Sequence, residues 1–191
     1  MEYKYILIII SAVVIIMVSI MIAKSNEEQA ALDPVTSFYN LEANSIFGDT
    51  TKMELYKGKK ILVVNVASEC GLTPQYAQLE KLYQEYSDKL IILGFPSNDF
   101  LRQEPGSNEQ IATFCSTEYS VTFPLFEKTK VKGSKKHSVY DWLTDPKQNG
   151  WNKKGPSWNF TKYLIDENGK LIKRFSPKTS PLSDEIITLI K

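Results

Sequence analysis

One histidine and two cysteines are all the imidazole and thiol ligands for zinc in this chain of 191 residues. His137, Cys70 and Cys115 stand far apart, so no zinc-ligand spacing is present. Charge of one sign is missing too: 23 lysines and arginines face 22 acids, a net charge of +1. Such a chain has no field to draw nucleic acid. Glycine-rich phosphate loops, internal repeats, low-complexity tracts and long charge blocks are absent, which removes nucleotide-binding and solenoid classes. No cofactor is called for.

What the chain has in plenty lies at its N-terminus. The run from Ile6 to Ala23 carries no charge, and its polar residues are Ser11 and Ser19. At about 18 residues it reaches the threshold for spanning a ~30 Å hydrocarbon core and exceeds a signal-peptide core. No small-x-small cleavage site follows: Met21 holds −3 for a cut after Ala23, and Gln29 for a cut after Ala31. The expectation is an uncleaved single-pass transmembrane anchor over residues 1–24, with a cleaved signal as the alternative. Lys4 and Lys24 balance, and the free amino terminus tips the orientation toward an extracytoplasmic soluble domain. Residues 25–35 read as a polar tether closed by Pro34, and 36–191 as one domain. Without the anchor about 165 residues remain, enough for a core that needs no disulfide staples.

Strand and helix patterns alternate through that domain. Ser37 to Leu41 reads as extended, Ile61–Val66 as a buried strand, Thr73–Tyr86 as a helix and Leu90–Phe95 as a second strand. Ser107 and Gln110 form a capping box before a helix with Ile111, Phe114, Cys115 and Tyr119 on one face. Phe123–Phe126 is a strand candidate, and Ser138 with Asp141 opens a short helix. Strands Lys162–Ile165 and Lys170–Phe175 flank an Asn168-Gly169 turn, and a helix from Ser183 to Ile190 closes the chain. This order implies an α/β fold with a mixed central sheet flanked by helices.

Chemistry concentrates at Cys70, where a strand gives way to a helix. Free N–H groups and a helix dipole at such a junction favour thiolate, the nucleophilic form. From residues alone, a small buried residue in a βα turn is an equal alternative.

The segment Asn65-Val66-Ala67-Ser68-Glu69-Cys70-Gly71 resembles the active-site signature of the glutathione peroxidase family, in its cysteine form. Three further blocks are similar to the family's, in the right order. They are Phe95-Pro96-Ser97-Asn98-Asp99-Phe100 with Gln103-Glu104-Pro105-Gly106-Ser107, then Tyr119 to Phe126, then Trp158-Asn159-Phe160-Thr161-Lys162-Tyr163-Leu164. The resemblance covers roughly Ser37 to Lys191 and implies a thioredoxin-like fold. It implies a peroxidase in which the Cys70 thiolate attacks a hydroperoxide, with Trp158 and Asn159 as neutral donors.

The family's third donor, a glutamine, is replaced by Asp99, and Ser97 and Leu101 stand where cysteine and glycine are usual. An ionised carboxylate donates nothing and repels a thiolate. Asp99 therefore points away, is protonated, or slows the enzyme. Cys115 stands where thioredoxin-recycled members keep a resolving cysteine; a core residue and a permanent disulfide are the other readings. The implied partners are a hydroperoxide and a reductant, either a thioredoxin-like protein or glutathione. The short stretch from Asp141 to Trp158 resembles monomeric or dimeric members. Two alternatives stand beside the peroxidase: a thiol–disulfide exchange or redox-sensing protein, and a membrane-tethered member with weakened catalysis. His137 reads as a solvated surface residue in a lysine-rich loop, and Trp151-Asn152 as a chance echo of the Trp-Asn pair.

Overall fold

A computed structural model describes residues 14–19, 21 and 36–191. The chain divides into two units, Met1–Asp33 and Pro34–Lys191. Residues 14–19 are helical, and Ser19 donates its hydroxyl to the carbonyl of Ile15 at 2.9 Å. Among the described residues no helix is long and apolar enough to cross a membrane. The rest of the expected Ile6–Ala23 anchor, and the tether up to Val35, lie outside the described residues.

In the second unit β1 (Glu42–Asn44) and β2 (Thr50–Lys52) form a small antiparallel pair. The main sheet is built from β3 (Lys60–Val66), β4 (Leu90–Pro96), β5 (Lys162–Ile165) and β6 (Leu171–Phe175), in the order β4-β3-β5-β6. Strand β3 pairs parallel with β4 and antiparallel with β5, so the sheet is mixed as expected. The helices are α1 (Gln75–Tyr86), α2 (Asn108–Tyr119), α3 (Ser138–Thr144), α4 (Pro146–Asn149) and α5 (Asp184–Ile190). Alternation along β3 divides the core in two. Ile61 and Val63 pack with Phe38, Trp142 and Tyr163, whereas Leu62, Val64 and Val66 pack with Leu79, Ile92, Cys115 and Phe160. Both faces of the central strands are thus buried, which is why Ile61–Val66 lacks a polar stripe.

Several sequence expectations change. Ser37 to Leu41 is a 3₁₀ turn over Phe38–Asn40, because Ser37 Oγ accepts the Tyr39 N–H and Phe38 packs edge-on to Trp142 at 5.2 Å. Phe123–Phe126 makes single bridges, Leu125 to Gly94 and Phe126 to Ser45, and no strand. Pro124 has no N–H to give a ladder, and its carbonyl accepts instead from Gly94 at 2.9 Å. A Cβ at Gly94 would lie 2.7 Å from Leu125 Cδ2 and 3.1 Å from the Phe123 ring, so any larger residue here pushes those side chains aside. Helix α1 begins at Gln75, two residues later than Thr73. Helix α3 is capped by His137, whose Nδ1 accepts the Val139 N–H at 3.2 Å; the half-buried ring also packs near Phe95. His137 is therefore a structural cap and no free surface residue. The β5–β6 turn closes through the Gly169 N–H to Asp166 O at 3.0 Å, with glycine at φ +83°. That makes it a wider turn than a two-residue Asn-Gly hairpin.

Candidate active site

Cys70 lies in the turn between β3 and α1, with 7% of its surface exposed. Four residues of turn separate it from the first residue of α1. Its Sγ accepts the Leu72 N–H at 3.4 Å. Thr73 fixes the turn: its Oγ1 accepts the Cys70 N–H at 2.9 Å and donates to Ala67 O at 2.9 Å. Such a clamp explains why a short β-branched hydroxyl residue stands three positions after the cysteine.

The Trp158–Phe160 segment is spliced onto the end of β3. Asn65 Nδ2 donates to Trp158 O at 3.1 Å, and the Phe160 N–H donates to Asn65 O at 2.6 Å. Phe160 holds φ +64°, a strained conformation for a buried aromatic residue. Half-buried Trp158 rests against Phe100, ring centres 5.5 Å apart. Asn159 is fully buried; its Nδ2 donates to Gln103 Oε1 at 3.0 Å, and its Oδ1 has no partner. Gln103 in turn accepts the Glu69 N–H on its carbonyl at 3.0 Å, which ties this loop to the residue before Cys70.

Asp99 faces elsewhere. Its Oδ2 accepts the N–H groups of Val131 and Lys132 at 2.7 and 3.0 Å, so this carboxylate braces a neighbouring turn. Of the three outcomes open in the sequence, this is the first. The side-chain amide paired with Asn159 belongs to Gln103, a residue quoted in the second motif but given no role there. The signal was a second amide four residues downstream of the expected one. Between them, Leu101 and Arg102 take φ +51° and +56°, so the missing glycine is replaced by residues held in the conformation glycine favours.

Cys115 is fully buried inside α2, and both cysteines are free. Burial pushes the Cys115 thiol up to about 11; the adjacent Tyr76 phenol opposes this and Glu104 adds to it. No disulfide or thiol–thiol hydrogen bond joins the cysteines among the described residues. Nor does any group of three or more His, Cys, Asp or Glu side chains there suit a metal.

A family model described as glutathione peroxidase matches residues 38–144. The chain is 51% identical over 158 residues to glutathione peroxidase-like peroxiredoxin 2 of Saccharomyces cerevisiae, covering 81% of this chain and 98% of that protein. It is similar to the crystal structure of Trgpx in apo form, with 37% identity and a TM-score of 0.62 over 82% of this chain and 96% of that one. A thioredoxin-family thiol:disulfide interchange protein from Chlorobium tepidum superposes with a TM-score of 0.59 at 15% identity, covering 83% and 97%. That last likeness shows the thioredoxin-like fold alone. With more than half of the chain on the family model and 51% of the aligned residues shared with the yeast protein, the chain belongs to the glutathione peroxidase family.

Proposed function

We propose that the chain is a thiol-dependent peroxidase whose nucleophile is Cys70. The observation that carries this reading is the Cys70 turn: a nearly buried sulfur facing a backbone N–H, beside a strained Trp158-Asn159-Phe160 segment. A Cys70 thiolate attacks the outer oxygen of a hydroperoxide. The O–O bond breaks, the sulfur becomes a sulfenic acid, and the leaving oxygen takes a proton to depart as water or an alcohol. The Trp158 indole N–H and the side-chain amides of Asn159 and Gln103 are neutral donors suited to that developing charge.

Cys115 then displaces hydroxide from the sulfenic acid. It loses its proton, water leaves, and a Cys70–Cys115 disulfide remains for a dithiol to reopen. A thioredoxin-like protein or glutathione serves as that reductant. The short stretch between Asp141 and Trp158 supports a monomer or dimer. The uncharged run Ile6–Ala23 supports attachment to a membrane with the peroxidase domain outside the cytoplasm.

Peroxide turnover with thioredoxin or glutathione supplied in turn tests the cycle. Cys70→Ser abolishes turnover with either, and activity that survives it rejects the reading. Cys115→Ser abolishes the thioredoxin-driven rate and leaves a single-turnover oxidation of Cys70. An intact thioredoxin-driven rate in Cys115→Ser removes the resolving role. Extraction of the full chain from membranes by alkaline carbonate would reject the anchor.

A further inference from the structure

Glu104 is a buried acid that the peroxidase cycle does not use. Its side chain has no exposed surface, and neither carboxyl oxygen makes a hydrogen bond. It borders a cleft of about 350 Å³ formed with Ser68, Glu69, Gln110, Ile111 and Phe114. The cleft therefore joins the turn before Cys70 to the first turns of α2, the helix that holds Cys115. Burial raises the Glu104 carboxyl to about 7, opposed by Ser68 and Lys128 and reinforced by Glu69.

Every charged or titratable neighbour lies on a different piece of the site. Ser68 and Glu69 belong to the Cys70 turn, Tyr76 to α1 and Cys115 to α2, and Lys128 to the segment beyond α2. Lys128 does not neutralise the acid by a direct ion pair; its Nζ donates to the backbone carbonyls of Glu104, Pro105 and Gly106. Lys128 N–H also donates to Asn108 Oδ1 at 2.9 Å, which fastens the start of α2 to the same segment. An ionised Glu104 thus has Ser68 close by but no counter-charge in contact in the closed arrangement, and the adjoining cleft offers a route for hydration. A charge buried without partners favours any local opening that hydrates it.

We propose that Glu104 is a latch on the segment that carries Cys115: the neutral carboxyl holds α2 closed, and its ionisation releases α2 so that Cys115 reaches oxidised Cys70. The inference rests on the resolving role given to Cys115 above. The chemistry of the step is unchanged, with Cys115 losing a proton and the hydroxyl of the Cys70 sulfenic acid leaving with it as water; the latch governs only the approach. Opening is required because Cys115 sits within a twelve-residue helix and makes no bond to Cys70.

The sign is fixed by the direction of the shift. Glu104 holds its proton more tightly in the closed state than in an open one, so closure is fully favoured at low pH. That advantage is lost as pH rises from about 4.5 through about 7. The full 4.5-to-7 difference corresponds to an upper bound of about 300-fold in the closed-to-open ratio.

Amide hydrogen exchange of α2 in the reduced full chain between pH 5 and 8 tests this, once intrinsic exchange is normalised. The wild type loses α2 protection as pH rises, Glu104→Gln stays protected throughout, and Glu104→Asp keeps the pH response. An unchanged profile in Glu104→Gln overturns the latch. Rapid quench and mass spectrometry after one peroxide pulse then follow the Cys70–Cys115 disulfide. Its formation accelerates with pH in the wild type and becomes pH-independent in Glu104→Gln. Failure of the resolving role shows differently, as absence of the disulfide at every pH. The exchange response of α2 in Cys115→Ser is independent of that outcome, and its loss in Cys115→Ser/Glu104→Gln is what the latch requires.

Discussion

Asn159 Nδ2 donates to Gln103 Oε1 at 3.0 Å, and this single bond sets the orientation of a buried amide and a half-buried one. With its acceptor occupied, Gln103 has its NH₂ left as a donor, and Asn159 is held from behind. Removing the Asn159 amide is expected to lower kcat/KM for peroxide on the order of 100-fold, as for a lost oxyanion donor. Gln103→Leu is expected to cost about tenfold or more. Because the two side chains form one unit, the double variant loses less than the product of the singles. Additive losses in a double-mutant cycle of peroxide kinetics would separate them.

Asp99 makes the opposite prediction. Its Oδ2 holds two backbone N–H groups at Val131 and Lys132, so Asp99→Ala leaves a turn unbraced and costs about 1–3 kcal/mol of stability. Peroxide turnover at a temperature well below unfolding stays near wild type. Asp99→Gln is expected to give no increase in rate, since the amide proposed for the site comes from Gln103. Urea unfolding and steady-state kinetics of the same two variants decide the matter; a faster Asp99→Gln enzyme would return Asp99 to the site.

The outline of the fold was legible in the sequence where one signal ruled. The apolar run of β3, the Ser107–Gln110 capping box and the Asn168-Gly169 punctuation each named an element. Legibility failed where local pattern did not decide: Phe38 turns in to meet Trp142, and Pro124, with no N–H to give, leaves Leu125 and Phe126 in single bridges. Of the candidate site, Cys70, Trp158 and Asn159 stood out as candidates because their blocks keep fixed spacing. Gln103 was not, because its selection depends on Asp99 turning toward Val131, a contact 32 residues away that no local pattern encodes. Glu104 was hidden for a related reason, since only packing makes an ordinary glutamate an unpartnered one.

His137 carries a second pH response, opposite in sign to that of Glu104. Burial lowers its pKa below 6.5, and Nδ1 must be unprotonated to accept the Val139 N–H. Its contribution is present above about pH 6.5 and is lost as pH falls through the lowered value. Helix α3 is therefore expected to loosen on acidification while α2 tightens. His137→Asn keeps a cap without a titrating ring. Thermal unfolding from pH 4.5 to 7.5 should lose the His137-dependent part of its slope in that variant, and an identical slope would exclude the cap as its source.

Lys162 holds the strained end of the site in place. Its fully buried Nζ donates to Gln75 Oε1 on α1, to Phe160 O at 2.8 Å, and to Pro177 O and Thr179 O at 3.2 and 2.8 Å. Burial draws the amine down to about 7, and no acid compensates it among these contacts. One side chain thus ties α1, the loop after β6 and the carbonyl of Phe160, the residue at φ +64°. Lys162→Met keeps the stem but leaves Gln75 Oε1, Phe160 O and Thr179 O without a donor, while Pro177 O keeps the Gln75 Nε2 bond at 2.8 Å. The expected loss is about 3–5 kcal/mol in denaturant unfolding, the scale of breaking a buried charged network. Since Phe160 relaxes with it, Trp158 and Asn159 lose their placement, and kcat/KM falls in the fraction that remains folded. A variant as stable as the wild type would show that the strain at Phe160 is held by the Asn65 bonds alone.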